Sequence, residues 1–268
     1  MLLTGASGGL GNYIAEAFAG RGVKLGLVAF PGTGLDELRE NLQKRGCRAI
    51  SIPSDLRDSD QRLEVIARVR KELGEIDILI NGAGVEATAW YHEVDEKTIC
   101  QMLAINLEAP AILTRLLLPA MLERGHGHIV NISSLAGKAS PGFQEPYAAT
   151  KAALIAFTYS LRSSYRSRGV SASVIVPGFV EAGIYADLKA RAGCAAPALL
   201  GSSRPELVPR AVLRAIERDL PEILINPLPI RPLLIINLLW PKLGEWLTSK
   251  TGANDFFLRV IEAQKRRR

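Results

Sequence analysis

The stretch NISSLAGKASPGFQEPYAATK, residues 131–151, decides how the rest of the chain is read. It opens as the end of a β-branched strand, with Ile129, Val130 and Ile132, and breaks at Ser133 and Ser134. After a Gly/Pro-containing loop it resumes at Tyr147 as a helix. Residues four apart share a helix face, so Tyr147 and Lys151 project side by side. Ser134 falls at the carboxyl end of the preceding strand, where ligands bind in an open α/β sheet. A phenol beside an ammonium has its charged form favoured, which predicts a Tyr147 pKa lowered towards the range of a general acid or base. Tyr and Lys at this spacing, taken alone, more often mean a packed ring beside a solvated amine. Ser134 and a glycine-rich turn near the start of the chain shift the reading to proton transfer.

Outward from this stretch, short β-branched runs alternate with helical periods. Strands are predicted at 2–4, 24–29, 49–53, 76–80, 128–133, 171–176 and 222–226, and helices at 12–21, 35–45, 59–73, 98–123, 146–166 and 206–218. The run at 76–80 is apolar throughout, as expected of a parallel strand buried on both faces. The alternation predicts an α/β fold, a doubly wound parallel sheet of about seven strands with right-handed crossovers. Asn106 is mildly unfavourable inside the helix 98–123, and Pro110 and Pro119 are expected to kink it. Residues 177–203 are rich in small residues and weakly periodic, a long loop of the kind that is usually functional.

TGASGGLG, residues 4–11, lies between the first strand and the first helix. Its glycines permit a tight turn and let backbone N–H groups approach a pyrophosphate at the helix N-terminus. A lone glycine-rich turn is a weak signal, and the strand–turn–helix context strengthens it.

TGASGGLG, NGAG at 81–84, Asn106, Ser134, YAATK at 147–151 and the pair Pro177, Gly178 together resemble the short-chain dehydrogenase/reductase family, over residues 1 to about 226. The resemblance implies a Rossmann-like fold and an NAD(P)-dependent oxidoreductase that interconverts an alcohol and a ketone or aldehyde. It implies that Tyr147 exchanges the hydroxyl proton and that Ser134 hydrogen-bonds the carbonyl oxygen. By the same resemblance Lys151 holds the nicotinamide ribose and lowers the Tyr147 pKa, and Asn106 holds a water linking Lys151 to solvent. Cofactor contacts implied in this way are Thr4, Gly5, Ser7, Gly9, Leu10, Gly11, Phe30, Asp55, Leu56, Asn81, Gly82, Ala83, Pro177, Gly178 and Val180, with Tyr147 and Lys151 shared.

Three positions depart from the family pattern. Phe30, followed by Pro31, stands where an acidic residue would bind the adenosine ribose of NAD; its ring either packs on the adenine or caps the sheet. Gly8 stands where a basic residue would receive the 2′-phosphate of NADP, and Ala182 replaces a Thr that contacts the nicotinamide amide. With no cation at the usual place the expectation leans slightly to NAD, because an uncompensated phosphate costs more than a hydroxyl left to water. A 3-oxoacyl-carrier-protein reductase and a non-enzymatic dinucleotide-binding scaffold are the alternative functions. The intact Ser134, Tyr147 and Lys151 weigh against the scaffold.

The chain has 268 residues, 48% apolar and 22% charged, which suits one soluble globular domain. Of its formal charge of +6, residues 242–268 carry a net +4. The basic character is therefore a tail property, and nucleic acid is not an expected partner. Cys47, Cys100 and Cys194 are scattered without CxxC spacing, which points to a reducing, cytoplasmic setting and to neither disulfides nor a zinc site. His126 and His128 read as a solvated loop, and no metal is expected.

Beyond residue 226 the family pattern stops, and residues 227–268 are expected to form an apolar and basic helical extension. PLPIRPLLIINLLWPKLGEWL is broken by Pro227, Pro229, Pro232 and Pro241, so it cannot supply the roughly 20 apolar residues of a spanning helix. Two readings follow: helices that cover the substrate cleft, or an amphipathic element peripheral to a membrane, with Trp240 and Trp246 at the interface and the basic close Lys265, Arg266, Arg267, Arg268 beside it. A hydrophobic, lipid-like, retinoid or steroid-like substrate and a homo-oligomer are expected.

Overall fold

A computed structural model describes residues 1–267. Seven parallel strands form one sheet in the order β3-β2-β1-β4-β5-β6-β7. They are β1 (Leu2–Thr4), β2 (Leu25–Ala29), β3 (Ala49–Pro53), β4 (Ile78–Asn81), β5 (Gly127–Ile132), β6 (Val170–Pro177) and β7 (Glu222–Ile225). The chain winds outward from β1 to β3 and then returns to place β4 on the other side of β1. That reversal opens a crevice at the carboxyl ends of β1 and β4, where ligands bind in such sheets.

Both faces of the sheet are covered, which is why the strands read as continuous apolar runs. On one face α1 (Gly9–Ala19), α2 (Leu35–Lys44) and α9 (Leu207–Glu217) bury Ile14, Phe18, Leu38, Leu42, Val208 and Val212. On the other, α3 (Ser59–Leu73), α5 (Ala109–Arg124) and α7 (Glu145–Tyr165) bury Val65, Val69, Leu113, Leu117, Met121 and Leu161. Leu2, Leu3, Leu27, Leu79 and Ile80 are sealed from solvent in the central strands, and each such side chain contributes on the order of 1.5–3 kcal/mol of transfer free energy.

The segment 96–124 is helical throughout but changes pitch. α4 (Glu96–Leu103) passes through a π-helical turn at Ala104–Glu108 into α5, and the Ala109 N–H reaches back five residues to the Ala104 carbonyl. Pro110 explains the change, since it has no N–H to give the residue-106 carbonyl and an α-turn could not close there. The expected kink at Pro110 is thus a local widening that carries Asn106, and such turns concentrate at functional sites. The segment is long and apolar enough to cross a membrane, yet Leu113, Leu117 and Met121 are buried against the sheet. It is a core helix.

The structure corrects the reading of His128. It lies inside β5, is 8% exposed, and its Nε2 is 2.8 Å from the Ser173 hydroxyl, which itself donates to the Leu220 carbonyl at 2.6 Å. His126 is the exposed one, beside Asp77. The two diverge because His128 is a ladder residue of β5, paired between β4 and β6, whereas His126 sits in the turn before the strand. Burial holds the His128 pKa down at about 4. In the unfolded chain it returns to about 6.5 and binds a proton first, so folding stability present above pH 6.5 is lost as pH falls towards 4. The full shift corresponds to roughly 3 kcal/mol. His128→Gln should therefore flatten the dependence of the urea midpoint on pH between 7 and 4.5, and parallel curves for the two proteins would contradict the assignment.

Two segments read as loops contain helices: α6 (Ala136–Ala139) after β5, and α8 (Gly183–Ala192) within 177–203. Beyond β7 the extension folds as α10 (Arg231–Leu239), α11 (Pro241–Ser249) and α12 (Ala253–Arg267). Pro232 and Pro241 sit in first turns, where the missing N–H is harmless. Two of the four prolines that interrupt the apolar run therefore mark helix starts, and Pro227 and Pro229 lie in the connection before α10. Arg268, part of the expected basic close, lies outside the described residues.

Candidate active site

The site assembles where β5, α6, α7 and the end of β6 meet. The Leu135 N–H donates to the Pro177 carbonyl at 2.7 Å, which ties the turn after β5 to the end of β6. Ser133 Oγ donates to the Lys151 carbonyl at 2.8 Å, and a Cβ on Gly137 would stand 2.6 Å from the Lys151 carbonyl carbon. Only glycine allows α6 to press this closely on α7. These contacts bring Ser134 and Tyr147 onto one wall of a pocket.

Lys151 is 4% exposed, and its Nζ donates to the Ile132 carbonyl at 3.0 Å and lies 5.7 Å from the centre of the Tyr147 ring. Burial brings its pKa down to about 8. The Tyr147 ring is packed among Met102, Ala136 and Ala148. Burial pushes its phenol up to about 12, the Ser134 hydroxyl works in the opposite direction, and the Glu86 charge adds to the rise. The expected lowering of this pKa is not what the site shows. Desolvation of a buried phenol outweighs the influence of an ammonium already engaged by a carbonyl.

Asn106 is fully buried and its side chain is committed to structure. Its Oδ1 accepts from the Val85 N–H and its Nδ2 donates to the Val85 carbonyl, both at 2.9 Å, while Nδ2 also reaches Thr150 Oγ1 at 3.1 Å. It pins the loop after NGAG to α7. A Cβ on Gly84 would stand 3.3 Å from Lys151 Nζ and 3.4 Å from Asn106 Oδ1, so NGAG closes directly over both.

The residues assigned to the cofactor divide into holders and lining. Thr4 Oγ1 accepts from the Gly82 and Ala83 N–H groups at 3.1 and 3.2 Å, and a Cβ on Gly5, at φ +69°, would stand 2.7 Å from the Ala83 nitrogen. The two glycine turns are thereby interlocked. Asn81 Nδ2 donates to Asn131, and Asn131 to Thr158, in a buried chain that links β4, β5 and α7. The Leu56 side chain packs in the core with Val65. Leu10, Pro177, Gly178, Val180 and Ala182 line the pocket. A Cβ on Gly9 would stand 2.2 Å from the Gly183 nitrogen, and one on Gly11 would stand 2.1 Å from the Gly5 carbonyl oxygen.

These residues fit a dinucleotide. Gly8 caps α1 with no side-chain bond and the first turn holds no acid, so its N–H groups and positive dipole end remain for an anion. At the far end Ser7 Oγ meets Thr33 Oγ1 at 2.7 Å, joining the glycine turn to the loop after β2. Phe30 is exposed there, and the Arg57 guanidinium lies over its ring, 5.9 Å from the centroid. Arg57 Nε donates to both Asp55 carboxylate oxygens at 2.9 Å, and the guanidinium beside Asp55 holds that carboxyl below its usual range. Sequence reasoning missed Arg57. Its only signal is that it follows two residues assigned to the adenine.

A functional loop and a cleft-covering tail were legible in the sequence, but how the two pack on each other was not. α8 places Ile184, Tyr185 and Leu188 over the pocket and packs on α12 through Tyr185, Leu188, Phe256, Phe257 and Val260. Arg191 of α8 pairs with the buried Glu86 carboxylate, which also accepts from Thr88 at 2.8 Å. Ile230, Leu233, Leu234 and Asn237 of the extension, with Thr248 and Thr251, complete the roof. Of the two readings of the tail, the cleft-covering one is present in the fold.

A Ser, Tyr and Lys gathered beside a glycine-rich strand–turn–helix, under an apolar roof, define an oxidoreductase of the dinucleotide-binding α/β class. The short chain dehydrogenase family model matches residues 1–192, and the chain belongs to that family. The ketoacyl reductase HetN of Nostoc sp. is 40% identical over 231 residues, 86% of this chain and 79% of the relative. A short-chain dehydrogenase from Sphingobium yanoikuyae, solved with NADPH, superposes with a TM-score of 0.74 at 27% identity, over 92% of this chain and 93% of that one. A family member from Burkholderia phymatum, solved with NAD, shares the fold with a TM-score of 0.80 at 24% identity, over 90% of this chain and 93% of that one.

Proposed function

We propose that this oxidoreductase reduces a ketone carried on an elongated apolar substrate, with Tyr147 as proton donor. The observation that carries the reading is the pocket itself: Ser134 and Tyr147 stand in a mainly apolar lining that includes Ile184, Leu188, Leu233, Leu234 and Phe257. A bound reduced nicotinamide dinucleotide supplies the hydride that goes to the carbonyl carbon. Tyr147 gives its phenolic proton to the oxygen, and Ser134 donates a hydrogen bond to that oxygen. Lys151, a buried cation on the same helix face, holds the dinucleotide ribose and favours the phenolate left behind. A phenol kept protonated by burial suits the reductive direction, and the similarity to a ketoacyl reductase supports it.

We read the adenosine end as able to take NADP, because a cation stands within reach of it. The slight lean to NAD rested on the lack of a cation at the usual positions, and Arg57 supplies one beside Phe30 from the loop after β3.

The substrate is tested by following dinucleotide oxidation with straight-chain 3-oxoacyl thioesters and methyl ketones of rising length. The specificity constant is expected to climb about four-fold per added methylene until the pocket is full, which corresponds to about 0.8 kcal/mol per buried CH₂. Rates independent of length would remove the apolar-substrate reading. Tight dinucleotide binding without turnover on any carbonyl would leave the non-enzymatic scaffold.

A further inference from the structure

The roof of the pocket is a single layer, and its outer side is apolar. By helical geometry the positions of α10 that follow round from Leu233, Leu234 and Asn237 are Ile235, Leu238 and Leu239. These are exposed, and so are Trp240, Leu243 and Trp246 next to them, with Leu238 at 79%. Six large apolar side chains thus face water within residues 235–246. The two helices form a tight hairpin, since a Cβ on Gly244 would stand 2.4 Å from the Asn237 Cα. Contiguous exposed patches of this kind mark interaction sites.

Charge decides the occupant. Between residues 228 and 250 stand Arg231, Lys242 and Lys250 against Glu245, all exposed. None of the three cations is in an ion pair among the described residues, and Lys250 Nζ lies 6.0 Å from the centre of the Trp246 ring. A second copy docking through this face by two-fold symmetry would set the same net positive charge against itself, and lysine is depleted in protein interfaces. Exposed tryptophans beside unpaired cations, on helices too short to span, match an element that lies in an anionic lipid surface.

We propose that the α10–α11 hairpin docks this protein on anionic membrane, with Leu238, Leu239, Trp240, Leu243 and Trp246 entering the headgroup layer and Lys242 and Lys250 meeting lipid phosphates. Docking is independent of the proposed reaction. That the same helices roof the pocket, so that an apolar substrate passes from lipid to Tyr147, rests on the reading above.

Co-sedimentation with vesicles tests it, using the full chain and comparing phosphatidylcholine alone with phosphatidylcholine containing phosphatidylglycerol. Binding is expected to be strong only on the anionic vesicles and to weaken with salt. Lys242→Gln with Lys250→Gln should lower the partition coefficient on the order of thirty-fold, and Leu238→Glu with Trp246→Glu should abolish it. These side chains lie outside the pocket, so dinucleotide binding and turnover of a short, water-soluble ketone report that each variant is folded. Equal partitioning on neutral and anionic vesicles, or no partitioning, would overturn the proposal. So would self-association of the wild type that Leu238→Glu with Trp246→Glu disrupts, if lipid binding is absent, because the face would then belong to a second copy.

Discussion

Tyr147→Phe should lower turnover by about 10²- to 10⁴-fold, the usual contribution of a positioned proton donor, and leave dinucleotide affinity nearly unchanged. The phenylalanine ring keeps the packing against Met102, Ala136 and Ala148, so the variant should fold and melt like the wild type. What disappears is a hydroxyl that burial holds protonated, with a pKa of about 12, beside Ser134. The sign of the pH effect follows. In the reductive direction the donor form is present across neutral pH, and rate should fall only as pH climbs towards that value or as Lys151, lowered to about 8, loses its charge. The oxidative direction needs the phenolate and should rise with pH over the same range. Turnover in both directions across pH, with a fluorescence titration of dinucleotide binding, checks this. A Phe variant that turned over at the wild-type rate would take the proton-donor role away from Tyr147.

Arg57→Ala should reduce the preference for NADPH over NADH by roughly ten- to a hundred-fold, almost all of it through weaker NADPH binding. A hydrogen bond to a charged group contributes about 1.5–3 kcal/mol, and a 2′-phosphate left without its cation loses that much. Asp55 moderates the effect, because its carboxylate already holds Arg57 and competes with the phosphate. The wild-type preference should therefore be finite. Phe30→Arg should add to it by placing a second cation at the same rim. The ratio of specificity constants for the two cofactors is the measurement. A wild type that strongly prefers NADH, and an Arg57→Ala variant with the same ratio, would return the reading to NAD.

Sequence alone determined the parallel sheet, the order of its helices and the positions of Ser134, Tyr147 and Lys151. These are local signals: apolar strands covered on both faces, a glycine turn that needs φ +69° at Gly5, and two side chains one helical turn apart. Tertiary structure alone decided what those residues experience. Tyr147 and Lys151 have opposite pKa shifts from those their adjacency predicts for an ion pair, because desolvation depends on what α6, α8 and the extension place around them. Asn106 turned out to clasp the Val85 backbone, a partner 21 residues away. α8 has too few buried anchors to show a period, and it is held by aromatic side chains of α12, more than sixty positions further on. Arg57 reaches Phe30 only because β2 and β3 end side by side. In the extension the sequence displayed its apolar content openly. Which half of it faces the pocket and which half faces water was set by how α10 and α11 pack, since burial belongs to a position in the fold and not to a residue type.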